Sequence, residues 1–273
     1  MKETNYSEGE LPPGDGFNAA GLVHRIWLGK GEMPSQVVPW IPTERIGFPG
    51  WQIRWWGDED LGDIAEHAIC GHLLQDERLG VGLRADILRY ELLRLYGGVY
   101  VDVDFEFFRP LDEIMLEGCL HLGFERGKVG SNALIASPAG FGFWEFMLRR
   151  IRAVVTRPAM NAREVLWWTG PHALTEALRM WTNDRWMSRS LKNREGDEVG
   201  YLVDHADVVI WNREILYPYG YWEHTWEQFR KEDHPQAYAA HHWSASWREQ
   251  METEAPDLSA PRAPSNFIPS VIQ

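Results

Sequence analysis

The chain has 273 residues, with 27 Lys and Arg against 40 Asp and Glu and a formal net charge of −13. That length suits one large α/β domain with a substantial core, and the acidic balance opposes a general nucleic-acid-binding role, which needs basic surface to neutralise phosphates. No run approaches the ~20 apolar residues that span a bilayer, the N-terminus lacks the apolar centre of a secretory signal, and Cys70 and Cys119 offer neither a disulfide framework nor ligand spacing, so a reduced, cytoplasmic protein is expected, at most peripheral to a membrane.

Residues 1–19 are polar with Gly and Pro, and residues 252–273 carry four prolines among small and polar residues. Both read as tails around one domain at 20–251. Within it, Leu22 to Leu28 and Gln52 to Trp56 predict strands, and Gly62 to Leu74 and Leu83 to Tyr96 predict helices. In the second helix Leu88, Leu92 and Leu95 recur at i, i+4, i+7 with Ile87 beside them, leaving Arg84, Glu91 and Arg94 for water. Gly97 and Gly98 then stop it, since glycine tolerates the left-handed backbone of a helix end. Val99 to Asp104 predicts a strand with Val99, Val101 and Val103 on one face and Tyr100, Asp102 and Asp104 on the other. Cys119 to Phe124 and Ala133 to Ala136 predict further strands. Phe141 to Val154 predicts a helix whose Trp144, Leu148 and Ile151 pack inward, leaving Arg149, Arg150 and Arg152 solvated, and Pro171 in Thr169-Gly-Pro171 sits where it opens another helix. The alternation predicts a single Rossmann-like, mostly parallel sheet flanked by helices, with ligands at the carboxyl ends of strands.

Asp102 and Asp104 sit at such an end. Their Cα atoms are expected roughly 7 Å apart on one face, close enough to share a divalent cation or to divide the work between a metal and a ribose hydroxyl. Two like charges there need compensation, and hard cations such as Mn²⁺ or Mg²⁺ bridging to a diphosphate would supply it. A lone Asp-x-Asp is a weak signal, but here it follows Ala85-Asp86, Arg89 and Gly97-Gly98-Val-Tyr100.

That run resembles the core of the Asp-x-Asp glycosyltransferases of the sugar-binding-region type, a group that includes the yeast initiating mannosyltransferase, capsule transferases and, distantly, the clostridial glucosylating toxins. Val23-His-Arg-Ile-Trp-Leu-Gly29 resembles the family's first strand, and His241-His-Trp-Ser-Ala-Ser-Trp247 its closing segment. The resemblance implies a GT-A type fold and a metal-dependent enzyme that moves a sugar from a UDP- or GDP-sugar to a glycan or other hydroxyl acceptor with retention of configuration. It further implies Asp104 and Asp102 as metal ligands, Asp102 shared with the ribose, and Asp86 and Arg89 on the donor sugar. Trp27 would lie against the nucleobase, Asn132 beside the sugar and Trp247 near the diphosphate. Aligning Trp247 assigns the third metal ligand to His242, with His241 one residue away as the alternative. Tyr100 would order the sugar or the metal shell. Trp27 also fits a core tryptophan, and Asn132 a turn residue before a strand. Among the 15 tryptophans, Trp55-Trp56, Trp167-Trp168 and Trp222 with Trp226 are candidates for an acceptor platform.

Two other classes fit parts of the pattern. An aspartyl phosphohydrolase also carries Asp-x-Asp after a strand, but wants Thr or Val where this chain has Glu106. A noncatalytic carbohydrate-binding protein would explain the tryptophans and a cation site, and would leave Asp86 and Arg89 unexplained.

Overall fold

The computed structural model describes residues 21–29, 31–127, 129–157, 161–185, 189–220, 222–223 and 225–244. Both tails, and Trp247 with them, lie outside the described residues. The strands are β1 (Leu22–Ile26), β2 (Gln52–Trp56), β3 (Gly98–Val101), β4 (Phe105–Phe107), β5 (Leu120–Arg126), β6 (Val129–Ser137), β7 (Arg189–Lys192), β8 (Glu198–Val203), β9 (Val208–Trp211) and β10 (Ala239–His241). The helices are α1 (Glu44–Gly47), α2 (Leu61–His67), α3 (Gly71–Leu74), α4 (Val81–Tyr96), α5 (Gly142–Val154), α6 (Ala162–Trp168), α7 (Pro171–Trp181) and α8 (Arg213–Leu216). Among the described residues no helix is long and apolar enough to cross a membrane.

Eight strands form one sheet in the order β2-β1-β3-β6-β5-β9-β8-β7, and β10 pairs with β4 in a separate ribbon. The sheet is mixed. β1 runs parallel to β2 and β3, and β5 to β9, whereas β6 enters antiparallel to both β3 and β5. Helices cover both faces, as the α/β alternation predicts. Tyr100, Ile135 and Leu122 face a core built on α4, α5 and α7, while Val99, Val101, Leu134 and Ala136 face the opposite core with Phe105, Phe107 and Tyr217. The period of two read for this strand therefore holds through Val101.

β1 is buried along its whole length, polar residues included, as expected of a strand flanked by parallel neighbours and covered on both faces. His24 survives there because the ring is bonded at both nitrogens: Trp56 Nε1 lies 3.0 Å from Nδ1 and the Gly97 carbonyl 2.7 Å from Nε2. An indole nitrogen only donates, so Nδ1 is the acceptor and Nε2 carries the proton. Arg25 is paired with Glu44 at 2.9 Å and donates to the Asp102 carbonyl, which fixes the backbone of the loop after β3.

Three expectations are corrected. The strand through Val99 stops at Val101, so Asp102 to Asp104 form a turn between β3 and β4. The helix expected over 62–74 is broken into α2 and α3, where a Cβ on Gly71 would lie 2.2 Å from the Ala65 carbonyl oxygen. Finally, α4 is buried around most of its circumference, with Arg84 and Glu91 inside. Glu91 accepts from the Cys70 N–H and from Arg94, and Arg84 donates to the Leu74 carbonyl and to Asp58, so the charge pattern that suggested a wet face serves to bind neighbouring segments. Trp144, Leu148 and Ile151 of α5 are buried as read.

Gly97 (φ +64°) and Gly98 (φ +90°) are where α4 turns into β3. A Cβ on Gly98 would sit 2.3 Å from the Leu22 carbonyl oxygen, so only glycine lets the new strand start beside β1. That close approach aims the following residues at the cavity.

Candidate active site

The Asp102 amide donates to the Ala133 carbonyl at 2.7 Å, carrying the β3–β6 ladder one residue past the strand. Its carboxylate accepts from the Tyr100 hydroxyl at 2.5 Å and from Arg89 Nη1 at 3.1 Å. Tyr100 thus acts on Asp102 directly, with its ring under the Arg89 guanidinium at 4.4 Å. Asp104 is buried and accepts from Ser244 N at 2.8 Å and Ser244 Oγ at 3.0 Å, with His241 Nε2 at 2.9 Å. One ligand atom each from Asp102, Asp104 and His241 lie within 4.8 Å of one another.

The histidine in this cluster is His241, which corrects the assignment to His242. In an extended segment neighbouring side chains point to opposite sides, and β10, pairing His241 with Phe105, turns His241 toward the carboxylates. His242 points away. Its Nε2 bonds Glu106 at 2.9 Å, its Nδ1 bonds the Tyr219 hydroxyl at 2.8 Å, and Trp40 stacks on the ring with centroids 4.2 Å apart. The His242 amide, by contrast, donates to the Asp104 carbonyl at 2.9 Å, so this residue contributes backbone to the site.

The two carboxylates are in different electrostatic states. Burial raises the Asp102 carboxyl and the Asp104 charge raises it further, against the pull of Arg89. Burial would also raise Asp104, but His241 and the two Ser244 donors overcome it and hold the carboxyl below the usual range. The His241 imidazole is held above its ordinary value: burial opposes its charge, and the Asp104 carboxylate prevails. A cation entering here would replace the imidazolium proton as the partner of Asp104. Two carboxylates and an imidazole suit Mn²⁺ or Mg²⁺, and the buried His241 Nδ1 is without a hydrogen-bond partner, so the donor set fits a divalent cation.

A second polar group lies alongside. Asp86 Oδ1 accepts from Asn132 Nδ2 at 2.9 Å and forms an ion pair with Arg89 Nη2 at 3.0 Å, and Oδ2 accepts from Thr169 Oγ1 at 2.9 Å. Burial pushes the Asp86 carboxyl up to about 6. Arg89 spans both groups, since Nη1 also reaches the Asn132 carbonyl at 2.7 Å. Asn132 is in the interior of β6 and not in a turn before it.

Both groups open on one cavity of about 590 Å³, whose wall includes Trp27, Gly29, Asp86, Arg89, Tyr100, Asp102, Asp104, Asn132, Leu166, Pro171, Trp222, His241, Trp243 and Ser244. Trp27 is half-buried, with its indole N–H on the Gly31 carbonyl at 2.8 Å, and packs beside Val37, Trp40 and Val103. Of the candidate platform tryptophans, Trp222 is on the cavity wall; Trp56 is core. Sequence reasoning missed Ser244, Thr169 and Tyr90. Ser244 was visible as a polar residue inside the closing segment, whereas Thr169 and Tyr90 had no local signature, because a hydroxyl's partner some 80 positions away is a property of the fold.

Residues 65–120 match the family model described as glycosyltransferase sugar-binding region containing DXD motif. The stretch includes Asp86, Arg89, Tyr100, Asp102 and Asp104. Among solved structures, the chain is similar to the PaToxG glycosyltransferase at 16% identity, covering 62% of this chain and 71% of that one with a TM-score of 0.46. It is similar to the UDP-bound glycosyltransferase domain of the YGT toxin at 10% identity, covering 70% and 79% with a TM-score of 0.43. The catalytic domain of alpha-toxin from Clostridium novyi follows at 9% identity, 63% and 65% coverage and a TM-score of 0.33. No curated protein matches the chain.

Proposed function

We propose, from the match of residues 65–120 to the DXD glycosyltransferase sugar-binding region and from the geometry of the site, that the cavity takes a UDP- or GDP-sugar together with Mn²⁺ or Mg²⁺ and transfers the sugar to a hydroxyl acceptor. The observation that carries this reading is the convergence of Asp102, Asp104 and His241 within 4.8 Å beside the Asp86–Arg89–Asn132 group. Asp102, Asp104 and His241 hold the cation, and Ser244 holds Asp104 in place. The cation, when bound, offsets the charge gained by the departing nucleoside diphosphate. Arg89 keeps Asp102 oriented and supplies fixed positive charge to the same end of the cavity. Asp86, Arg89 and Asn132 meet the donor sugar, and Trp27 lies against the nucleobase.

Retention of configuration is part of the proposal, with the leaving phosphate taking the acceptor proton. Asp86 carries two hydrogen bonds and an ion pair and Asp104 three hydrogen-bond contacts, which blunts them as nucleophiles and supports a route without a covalent intermediate. A glycosyl-enzyme trapped with a slow donor and seen by mass spectrometry would refute that route.

The test is release of nucleoside diphosphate from a panel of UDP- and GDP-sugars with Mn²⁺, beside EDTA and Asp104→Ala controls. Release from one donor, lost in both controls, is expected. Release that survives EDTA would overturn the metal assignment. Absence of both turnover and metal-dependent nucleotide binding would overturn the donor.

A further inference from the structure

Asp86 is held by a closed ring of hydrogen bonds whose far side is the turn between α6 and α7. Thr169 is fully buried and donates Oγ1–H to Asp86 Oδ2 at 2.9 Å. Its carbonyl accepts from the Tyr90 hydroxyl at 2.8 Å, and that hydroxyl accepts from Asn132 Nδ2 at 3.2 Å. The same amide nitrogen donates to Asp86 Oδ1 at 2.9 Å and closes the ring. Asp86, Asn132, Tyr90 and Thr169 are thus one unit drawn from α4, β6 and the α6–α7 turn.

The Thr169 hydroxyl has a choice of acceptor, for the Val165 carbonyl lies 3.2 Å away at the end of its own helix. It has one proton, and the shorter contact to a carboxylate is the stronger. The backbone of the turn is fixed independently. Gly170 donates to the Val165 carbonyl at 3.0 Å, and Pro171 starts the next helix. Leu166 and Pro171, on either side of Thr169, line the same cavity as Asn132, whereas Thr169 itself is not on its wall.

We propose that Thr169 is a positioning residue that sets Asp86 for the donor sugar and ties the α6–α7 turn to it as the wall of the sugar subsite. The inference rests on the reading of Asp86 and Arg89 as sugar-binding groups. A merely structural threonine would support the fold and leave ligand preference alone. One that positions Asp86 discriminates between a nucleoside diphosphate and the same nucleotide carrying a hexose.

The experiment compares wild type, Thr169→Val, Thr169→Ser and Asp86→Ala by calorimetric titration with Mn²⁺ and UDP, GDP, UDP-glucose and GDP-mannose, with thermal unfolding of each protein alongside. Wild type is expected to bind one sugar conjugate more tightly than its free nucleotide. Thr169→Val keeps the shape and loses the hydroxyl; it is expected to weaken binding of the conjugate about tenfold, the loss of one charge-assisted hydrogen bond, with free nucleotide within twofold. Thr169→Ser restores wild-type preference. Equal binding of the conjugate by wild type and Thr169→Val, or equal weakening of conjugate and nucleotide in step with a lowered Tm, overturns the inference. If Asp86→Ala loses the preference and Thr169→Val does not, this inference fails and the reading of the site stands. If wild type shows no preference, or Asp86→Ala retains it, both fail.

Discussion

Acidification should loosen β1 where it meets the start of β3, through His24. Its Nδ1 faces the Trp56 indole N–H, so protonating the ring would set two donors against each other in a fully buried site. Burial, with a smaller contribution from Arg54, accordingly pushes the imidazole from its ordinary 6.5 down to about 4, against the Gly97 carbonyl, which favours the charged ring. For a group whose folded value is depressed, the stabilisation is complete above the unfolded value, near 6.5, and is lost as pH falls through the folded value, near 4. The gap, at about 1.4 kcal/mol per pH unit, amounts to about 3 kcal/mol, a large share of a typical stability of about 5–15 kcal/mol. The assay is urea unfolding followed by tryptophan fluorescence at pH 7.5, 5.5 and 4, for wild type and His24→Gln. Glutamine preserves a donor for Gly97 and does not titrate. Shifts at Asp86, Asp104 and His121 are common to both proteins and largely cancel in the difference. The advantage of wild type over the variant should shrink by about 3 kcal/mol between pH 7.5 and pH 4. An advantage that stays constant across that range refutes the argument.

Gly98→Ala should cost at least about 2 kcal/mol in the same unfolding assay, since the new methyl meets a backbone oxygen at a left-handed φ and neither can yield cheaply. Arg89→Met removes the counter-charge of two carboxylates at once; a loss of about 3–5 kcal/mol is expected, part of it regained in Arg89→Met with Asp86→Asn, because a neutral amide needs no cation. Mn²⁺ at a hundredfold its Kd should stabilise the wild type by about 2.7 kcal/mol, read as a rise in Tm, and should do nothing for Asp104→Ala. His242→Gln should retain most of that Mn²⁺ response, whereas His241→Gln should lose it; the reverse pattern would restore His242 as the ligand.

The sequence was most legible where one local rule governs one residue. The Gly97-Gly98 stop, the alternation through Val101 and the Pro171 start each follow from backbone sterics within a few positions, and each appears in the fold. Legibility ended where a residue's partner lies far along the chain. Arg84 and Glu91 read as solvent-facing because charge at helical spacing usually is, and only the fold shows the Leu74 carbonyl and the Cys70 amide waiting for them. The choice between His241 and His242 stayed open in the sequence for a similar reason: alternation guarantees that the two differ, but the register of β10 on β4 decides which faces Asp104. β7, β8 and β9 gave no signal singled out in the sequence, their polar and apolar residues following no long alternation.

The contact between His241 and Asp104 closes a loop of 137 positions, and this sets a timetable for synthesis. A ribosome adding about 5–20 residues per second delivers the histidine roughly 7–27 s after the aspartate. The Asp86–Asn132–Tyr90–Thr169 ring needs only residues through Thr169 and can assemble earlier. Until residue 241 emerges, the Asp86–Asn132–Tyr90–Thr169 ring can be complete while Asp102 and Asp104 still lack the histidine beside them, so the two halves of the proposed site form at different times.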